Sequence, residues 1–284
     1  MPTSALAHRF HELHQSGCFV SPNPWNVGSA ILLTQLGFKA LATTSSGFAW
    51  SIGRQDNHIT LDESLGHLRG MTRSVDVPVS ADFEGGFAAA PADVARNVTL
   101  AAATGVAGLS IEDSTGDPAQ PLFDFTLAVE RIRAAHGALD DEGSGVLLTA
   151  RSEGFVAGRP DLRETIKRLT AYAEAGADCL FAPGLRTIGD ITTIVHAVAP
   201  KPVNVLVGSD FTTVTALAEA GVRRISVGGS LARVAWSGFL RAAKEIAEHG
   251  TFGGLMAAVP SAEMEKAFAA NKRELTIPST RFLP

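Results

Sequence analysis

Two cysteines in 284 residues, Cys18 and Cys179, are too few for a disulfide framework, and no CxxC pair suggests zinc. No run of 18 apolar residues offers a membrane span. No basic stretch is present and the net charge is -5, which argues against nucleic acid and anionic membranes as partners. Residues 1–17 carry three histidines and Glu12 but no apolar secretory core, so a cytoplasmic, reduced chain is expected. His8, His11 and His14 lie three apart. A zinc-protease helix needs its second histidine four residues after the first, and position 15 is Gln. Three exposed histidines on a short amphipathic helix over 3–16 are expected instead.

What is present is an ordinary globular composition, 45% hydrophobic and 19% charged, organised around Ser80-Ala81-Asp82-Phe83-Glu84-Gly85-Gly86-Phe87. The apolar run Val77-Pro78-Val79 reads as a buried strand, which places Asp82 and Glu84 at its C-terminal end. Residues i and i+2 of a strand point the same way, so both carboxylates are expected to face one space. Two anions held together need a cation, a proton or open water. The glycine pair lets the backbone turn sharply behind them.

Strand-like runs alternate with helix-like ones along the chain. The strand candidates are Cys18–Ser21, Ala40–Thr44, Val77–Ala81, Gly108–Ile111, Val146–Ala150, Cys179–Ala182, Pro202–Val207 and Arg224–Val227. Several intervening helices end on a glycine, as at Gly37, Gly105, Gly176 and Gly221. Eight alternations predict an α/β fold, a (β/α)8 TIM barrel. An open doubly wound sheet would carry a glycine-rich phosphate turn after its first strand, where this chain has Pro22-Asn23-Pro24-Trp25. No linker interrupts the pattern, so residues 1–284 read as one barrel domain with a C-terminal helical extension over 252–284. On that extension Phe252, Leu255, Met256, Met264 and Phe268 form an apolar face suited to a neighbouring subunit or to the barrel's own bottom.

A barrel gathers its strand C-termini around one mouth. There the sequence places Thr44-Ser45-Ser46-Gly47, whose hydroxyls and amides suit a carboxylate, then Asp56, Asp82 and Glu84. Glu112-Asp113, Arg151-Ser152-Glu153, Asn204 and Gly228-Gly229-Ser230 follow. Each also fits a plain structural role: Glu112 and Asp113 as turn caps, Arg151 as an ion-pair partner, Asn204 as a backbone ligand, the glycines as a turn. As a set, Asp56, Asp82, Glu84 and Glu112 with one arginine form an anionic cup. Hard oxygen ligands suit Mg²⁺ or Mn²⁺, and the guanidinium fork suits a carboxylate or phosphonate.

With these stretches in order over 18–235, the chain resembles the isocitrate lyase/phosphoenolpyruvate mutase superfamily. The matching segments are Thr44-Ser45-Ser46-Gly47, Gly53-Arg54-Gln55-Asp56, Asp82-Phe83-Glu84-Gly85-Gly86, Ile111-Glu112-Asp113, Ala150-Arg151-Ser152-Glu153 and Ala173-Glu174-Ala175-Gly176-Ala177-Asp178. The resemblance implies a barrel whose last helix is exchanged with a partner, giving a homodimer or homotetramer. It implies Mg²⁺ (or Mn²⁺) held by Asp82, with Glu84, Glu112 and Asp56 acting directly or through waters. It implies a 2-oxo carboxylate cradled by the backbone of Ser46, Gly47 and Phe48, with Arg151 on its charged end; Asn204, carried by strand seven, is a further binding candidate. Arg151, Asp56 and Glu112 are then the catalytic candidates. The implied chemistry makes or breaks a C–C or P–C bond beside an oxyacid through a pyruvate-type enolate.

The match has gaps. Superfamily lyases carry a cysteine flanked by basic residues, glycine and histidine in a mobile loop after strand four. Here Ser114–Pro121 has no cysteine, histidine or lysine. Glu84 stands where many members have aspartate, and Asn26 where an acid is common. These departures argue against isocitrate lyase, 2-methylisocitrate lyase and a standard mutase. Decarboxylation of an oxaloacetate-like acid needs no thiol, so Mg²⁺-dependent C–C bond cleavage or decarboxylation of a small 2-oxo or 2-hydroxy carboxylate is the expected activity. The alternatives are a 2-oxo acid binding protein without turnover and a phosphonopyruvate-type P–C cleaving enzyme.

Overall fold

The computed structural model describes residues 4–269. Eight short parallel strands form one sheet: β1 (Phe19–Val20), β2 (Leu41–Ala42), β3 (Val79–Asp82), β4 (Gly108–Glu112), β5 (Leu147–Arg151), β6 (Cys179–Phe181), β7 (Val203–Leu206) and β8 (Arg224–Ser226). Their order around the sheet is β1-β8-β7-β6-β5-β4-β3-β2. The remaining gap is bridged where the Ala42 amide donates to Pro22 O at 3.1 Å. This is the (β/α)8 barrel the alternation predicts.

Register follows from side-chain alternation. Leu109 and Ile111 of β4, and Leu148 and Ala150 of β5, point outward into the main core. Helices α5 (Pro91–Ala102), α6 (Phe125–Asp141), α7 (Leu162–Glu174) and α8 (Ile188–Val198) cover them with Val94, Val98, Ile132, Leu169, Tyr172, Ile191 and Ile194. The alternate residues face the barrel axis, and there the interior turns polar: Ser80, Ser110, Thr149, Asn204, Arg224 and Ser226 are all buried.

The bottom of the barrel is closed by α1 (Ala5–Gln15), capped by Ser4. Ala7 and Phe10 are fully buried against Ala40, Ala107, Leu147 and Cys179. Gly108 makes this possible, since a Cβ there would lie 2.6 Å from Phe10 Cε1. The expectation of three exposed histidines holds for His8 only. His11 reaches Gly145 O at 3.0 Å, and His14 is buried, packed edge-on against Phe10 and 3.4 Å from Arg224 Nη1. The helical spacing could not show that position 14 meets β8, more than 200 residues away. Thr3, the first residue of the expected helix, lies outside the described residues.

Past the strands, α2 (Val27–Gln35) is opened by an Asn26–Ser29 capping box, which accounts locally for asparagine at position 26. Helix α3 (Ser45–Ser51) follows β2 and is opened by Thr44, whose Oγ1 accepts the Gly47 amide. After α4 (Leu61–Ser74) and α9 (Val214–Glu219), the 20-residue α10 (Ser230–His249) buries a single residue, Ala232. A 3₁₀ turn (Gly253–Ala257) folds back on α10, with the Gly253 and Gly254 amides on the Glu245 carboxylate. Helix α11 (Ser261–Ala269) lies beside α2, where Gln35 Nε2 donates to Ala267 O. The expected extension beyond 269 lies outside the described residues. Among the described residues no helix is long and apolar enough to cross a membrane.

Candidate active site

The strand ends build the mouth. Asp82 closes β3, Glu112 closes β4 and Arg151 closes β5, with Glu112 and Arg151 paired in register. Arg151 is the hub. Its Nη1 donates to Asp82 Oδ1 at 2.6 Å, Nη2 lies 3.0 Å from Glu112 Oε2, and Nε donates to Glu153 Oε1 at 2.9 Å. The guanidinium lies 5.2 Å from the Phe181 ring centroid. One cation thus holds three carboxylates in a partly buried site, where such pairs are strong only with good geometry.

The acids carry the cost of crowding. Burial, then Asp82 and Asp56, pushes Glu84 up to about 8. Burial raises Glu112 well above the usual carboxylate range, with Arg151 opposing. Burial likewise raises Glu153. At the rim, loss of hydration and then the Asp82 charge raise Asp56. Arg151 is held firmly protonated: its three carboxylates overcome the opposing effect of burial.

The strand argument for Asp82 and Glu84 needs correction in one respect. β3 ends at Asp82, Phe83 turns into the core at 0% exposure, and Glu84 sits in the left-handed region at φ 47°. The two carboxyls still feel one another, but through a turn rather than strand alternation. Glu84 Oε1 is buried with no hydrogen-bond partner among the described residues.

On the opposite wall, Asp82 Oδ2 accepts the Ser45 amide at 2.9 Å and its hydroxyl at 3.0 Å. Ser45 Oγ also reaches Asp56 Oδ1 at 3.4 Å. In the first turn of α3, Thr44 Oγ1 takes the Gly47 amide and Thr44 O takes the Phe48 amide at 3.1 Å. Phe48 instead stacks its ring on His67, centroids 3.9 Å apart. Ser46 Oγ lies 3.1 Å from Thr44 Oγ1 and lines the cavity at the mouth. Asn204 also lines that cavity, lower down, and both ends of its amide are engaged, with Ser226 Oγ at 3.0 Å and Arg224 Nε at 2.9 Å.

Several residues outside the expected cup hold the mouth in place. Buried Arg131 from α6 donates to Glu112 O, Gly85 O and Ala88 O, tying the β3 turn to the end of β4. Asp113 faces away from the cup. It accepts the Glu153 amide at 2.7 Å, Tyr172 Oη at 2.7 Å and Arg168 Nη1 at 3.1 Å. Asn23 Oδ1 accepts the Val227 and Gly228 amides at 2.8 Å, which pins the β8 turn to β1. The glycines at 228–229 thus belong to a braced turn.

The loop after β4 is a self-bonded hairpin. Ser114 bridges Leu122, the Thr115 amide donates to Pro121 O at 3.0 Å, and the Ala119 amide to Asp117 Oδ1 at 2.8 Å. It flanks the acids and carries no histidine, cysteine or lysine. Cys179 is fully buried in the barrel, as its place in a strand suggested.

Among the described residues no three acids, cysteines or histidines are drawn close enough to hold a metal ion. Arg151 stands between Asp82 and Glu112 and supplies the positive charge. The donor set nevertheless fits a hard cation: carboxylate oxygens only, one of them buried and unpartnered.

The family model described as phosphoenolpyruvate phosphomutase matches residues 10–247. A solved structure of a suspected lyase/mutase from Burkholderia cenocepacia J2315 is 46% identical, covers 93% of this chain and 96% of that one, and superposes with a TM-score of 0.90. A 2-methylisocitrate lyase of Escherichia coli K12 is 32% identical over 61% of this chain and 60% of its own length. An oxaloacetate decarboxylase of Rhodopseudomonas palustris BisB18 is 34% identical over 49% of this chain and 48% of its own.

Proposed function

The chain belongs to the phosphoenolpyruvate phosphomutase family, among the lyases and mutases of the isocitrate lyase/PEP mutase superfamily, and from that premise we propose a Mg²⁺-dependent lyase that decarboxylates a small 2-oxo diacid of the oxaloacetate kind. The observation that carries this reading is the Arg151 hub among Asp82, Glu112 and Glu153, beside a buried, unpartnered Glu84 oxygen. Asp82, Glu84 and Glu112 would hold the cation, with Asp56 at the rim. When bound, it supplies a Lewis acid that stabilises the charge developing on the oxo acid.

The protein's own residues do the rest. Arg151 offers a planar fork to the substrate carboxylate, and α3 presents Ser46 at the mouth with Gly47 and Phe48 behind it. Asn204 fixes the wall below. As the C–C bond breaks, the departing carboxylate leaves as CO₂ and its bonding pair remains on the pyruvate enolate. Solvent then supplies the proton, because the 114–123 hairpin brings no acid or base suited to it. Cleavage of isocitrate or 2-methylisocitrate asks for a positioned proton donor or acceptor, whose loss typically costs about 10²–10⁴ in rate.

The test compares CO₂ release from oxaloacetate with glyoxylate release from isocitrate, both corrected for the metal-catalysed background. Decarboxylation that needs Mg²⁺ and is lost in Asp82→Ala is expected, with negligible glyoxylate. Full activity in excess chelator, or rapid glyoxylate release, would overturn the reading.

For assembly, we infer that α10 is exchanged with a neighbouring copy within a homodimer or homotetramer. It buries only Ala232 and leaves Val234, Phe239 and Leu240 exposed, whereas a barrel helix ordinarily buries one face.

A further inference from the structure

At the floor of the mouth cavity lies a cation that the proposed reaction does not use. Arg224, the first residue of β8, is 4% exposed. Its Nε donates to Asn204 Oδ1 at 2.9 Å and its Nη2 to Thr149 Oγ1 at 3.1 Å, while Nη1 lies 3.4 Å from His14 Nε2. These are neutral acceptors: burial, then Arg224 itself, pushes His14 down to about 3. No carboxylate among the described residues pairs with Arg224. Arg151 and Arg168 each hold carboxylates, while Arg131, also without a carboxylate partner among the described residues, is wrapped by three backbone carbonyls.

A buried charge without a counter-ion is costly. This one does not end in packed protein. It borders the cavity of about 180 Å³ that opens at Ser46 and Asp56 and runs down between Thr43, Ser80 and Ser110. Barrels ordinarily fill these layers with Val, Ile and Leu. Here hydroxyls and one amide leave a polar well, with the guanidinium at its base.

We propose that Arg224, held by Asn204 and Thr149, is the floor of an anion subsite inside the barrel, and that it takes the far carboxylate of a dicarboxylate whose 2-oxo end lies at Arg151. The upper half of this statement rests on the function proposed above; the subsite itself rests on Arg224 and its cavity. Length follows from the strand. Thr149 and Arg151 are two residues apart on one face of β5, about 6.6 Å along the strand and, after the usual barrel tilt, roughly 5 Å along the axis. Four- and five-carbon diacids span that depth. Pyruvate and oxalate do not reach it.

Two measurements on the full chain with Mg²⁺ test this. Crystals soaked in sodium bromide should show an anomalous peak in contact with the Arg224 guanidinium. Calorimetry then compares 2-oxoglutarate with 2-oxopentanoate, which has the same oxo end and no far carboxylate. The wild type should prefer 2-oxoglutarate at least tenfold. Arg224→Met should erase that preference while changing 2-oxopentanoate affinity less than twofold. Arg224→Lys, which keeps the charge, and Thr149→Val, which frees one hydrogen bond, should each retain part of it and serve if the methionine variant does not fold. No bromide at Arg224, or equal weakening of both ligands, would overturn the proposal. If neither oxo acid binds the wild type while bromide sits on Arg224, the reading of the mouth falls and the anion subsite stands.

Discussion

Arg151 and Asp82 meet across the barrel mouth, Nη1 2.6 Å from Oδ1, although their strands are separated by β4. The contact spans the place where the sequence puts a cation. The guanidinium sets one positive charge against three carboxyl groups, so the proposed cation and substrate would meet an ion-pair network. They would rearrange that network rather than fill a bare acidic cup.

Arg151→Lys should therefore separate charge from shape. A lysine keeps one positive charge but cannot fork to three carboxylates. We expect a fold close to wild type and a loss of about 10²-fold or more in kcat/KM for oxaloacetate. Arg151→Met leaves several buried acids unpaired and should cost about 3–5 kcal/mol of stability at neutral pH. Denaturant titration and steady-state kinetics read the two effects separately.

Glu84 gives a pH signature. Its folded pKa of about 8 lies above the ordinary 4.5, so between those values the folded chain binds more protons than the unfolded one. Stability from this group is complete at low pH and is lost as pH rises through 8. In chelator, Glu84→Gln should raise the melting temperature at pH 9 and change it little at pH 4. The gain should be several degrees or more, since a shift of this size is worth on the order of a few kcal/mol and about 1 kcal/mol moves a chain of this size by roughly 2–4 °C. Wild type and variant melting in parallel across that range would refute the assignment.

Gly47 is tested by one methyl group. A Cβ there would lie 2.7 Å from Thr44 Cγ2 and 2.9 Å from Trp25 Cβ. Gly47→Ala should displace the first turn of α3, cost about 1–3 kcal/mol, and weaken pyruvate binding about tenfold. Calorimetry with pyruvate, beside a melt of the same sample, checks both.

Assembly should respond to charge on α10. Phe239 is 60% exposed and edge-on to Trp236 at 5.7 Å. Sedimentation at micromolar concentration should give a dimer or tetramer, and Phe239→Glu should lower the mass without loss of helical signal. A wild-type monomer would end the exchange proposal.

The sequence carried the alternation of eight strands and the placement of Asp82, Glu112 and Arg151, because each stands at the end of an apolar run. It did not carry contacts made by chains of distant residues. His14 looked like a surface histidine until β8 met it. Asp113 looked like a turn cap, yet its partners Arg168 and Tyr172 come from α7, more than 50 residues on. Arg131 sat in an unremarkable amphipathic helix, and nothing local says that its head reaches Gly85 O. The start of α3 was the one legible omission: Thr44, three residues before Gly47, is a recognisable N-cap. The proposed cation could not be placed by strand periodicity either, since Glu84 leaves the strand before its side chain returns to Asp82.

Phe10 and its helix close the foot of the barrel, while the cavity above Arg224 opens at Ser46 and Asp56. With the proposed subsite occupied, the order of release would follow depth rather than affinity. A fragment on Arg224 would depart only after the one above it at Arg151. Product inhibition should carry that asymmetry: the deeper fragment competes with substrate for the empty chain, and the shallower one inhibits without competing.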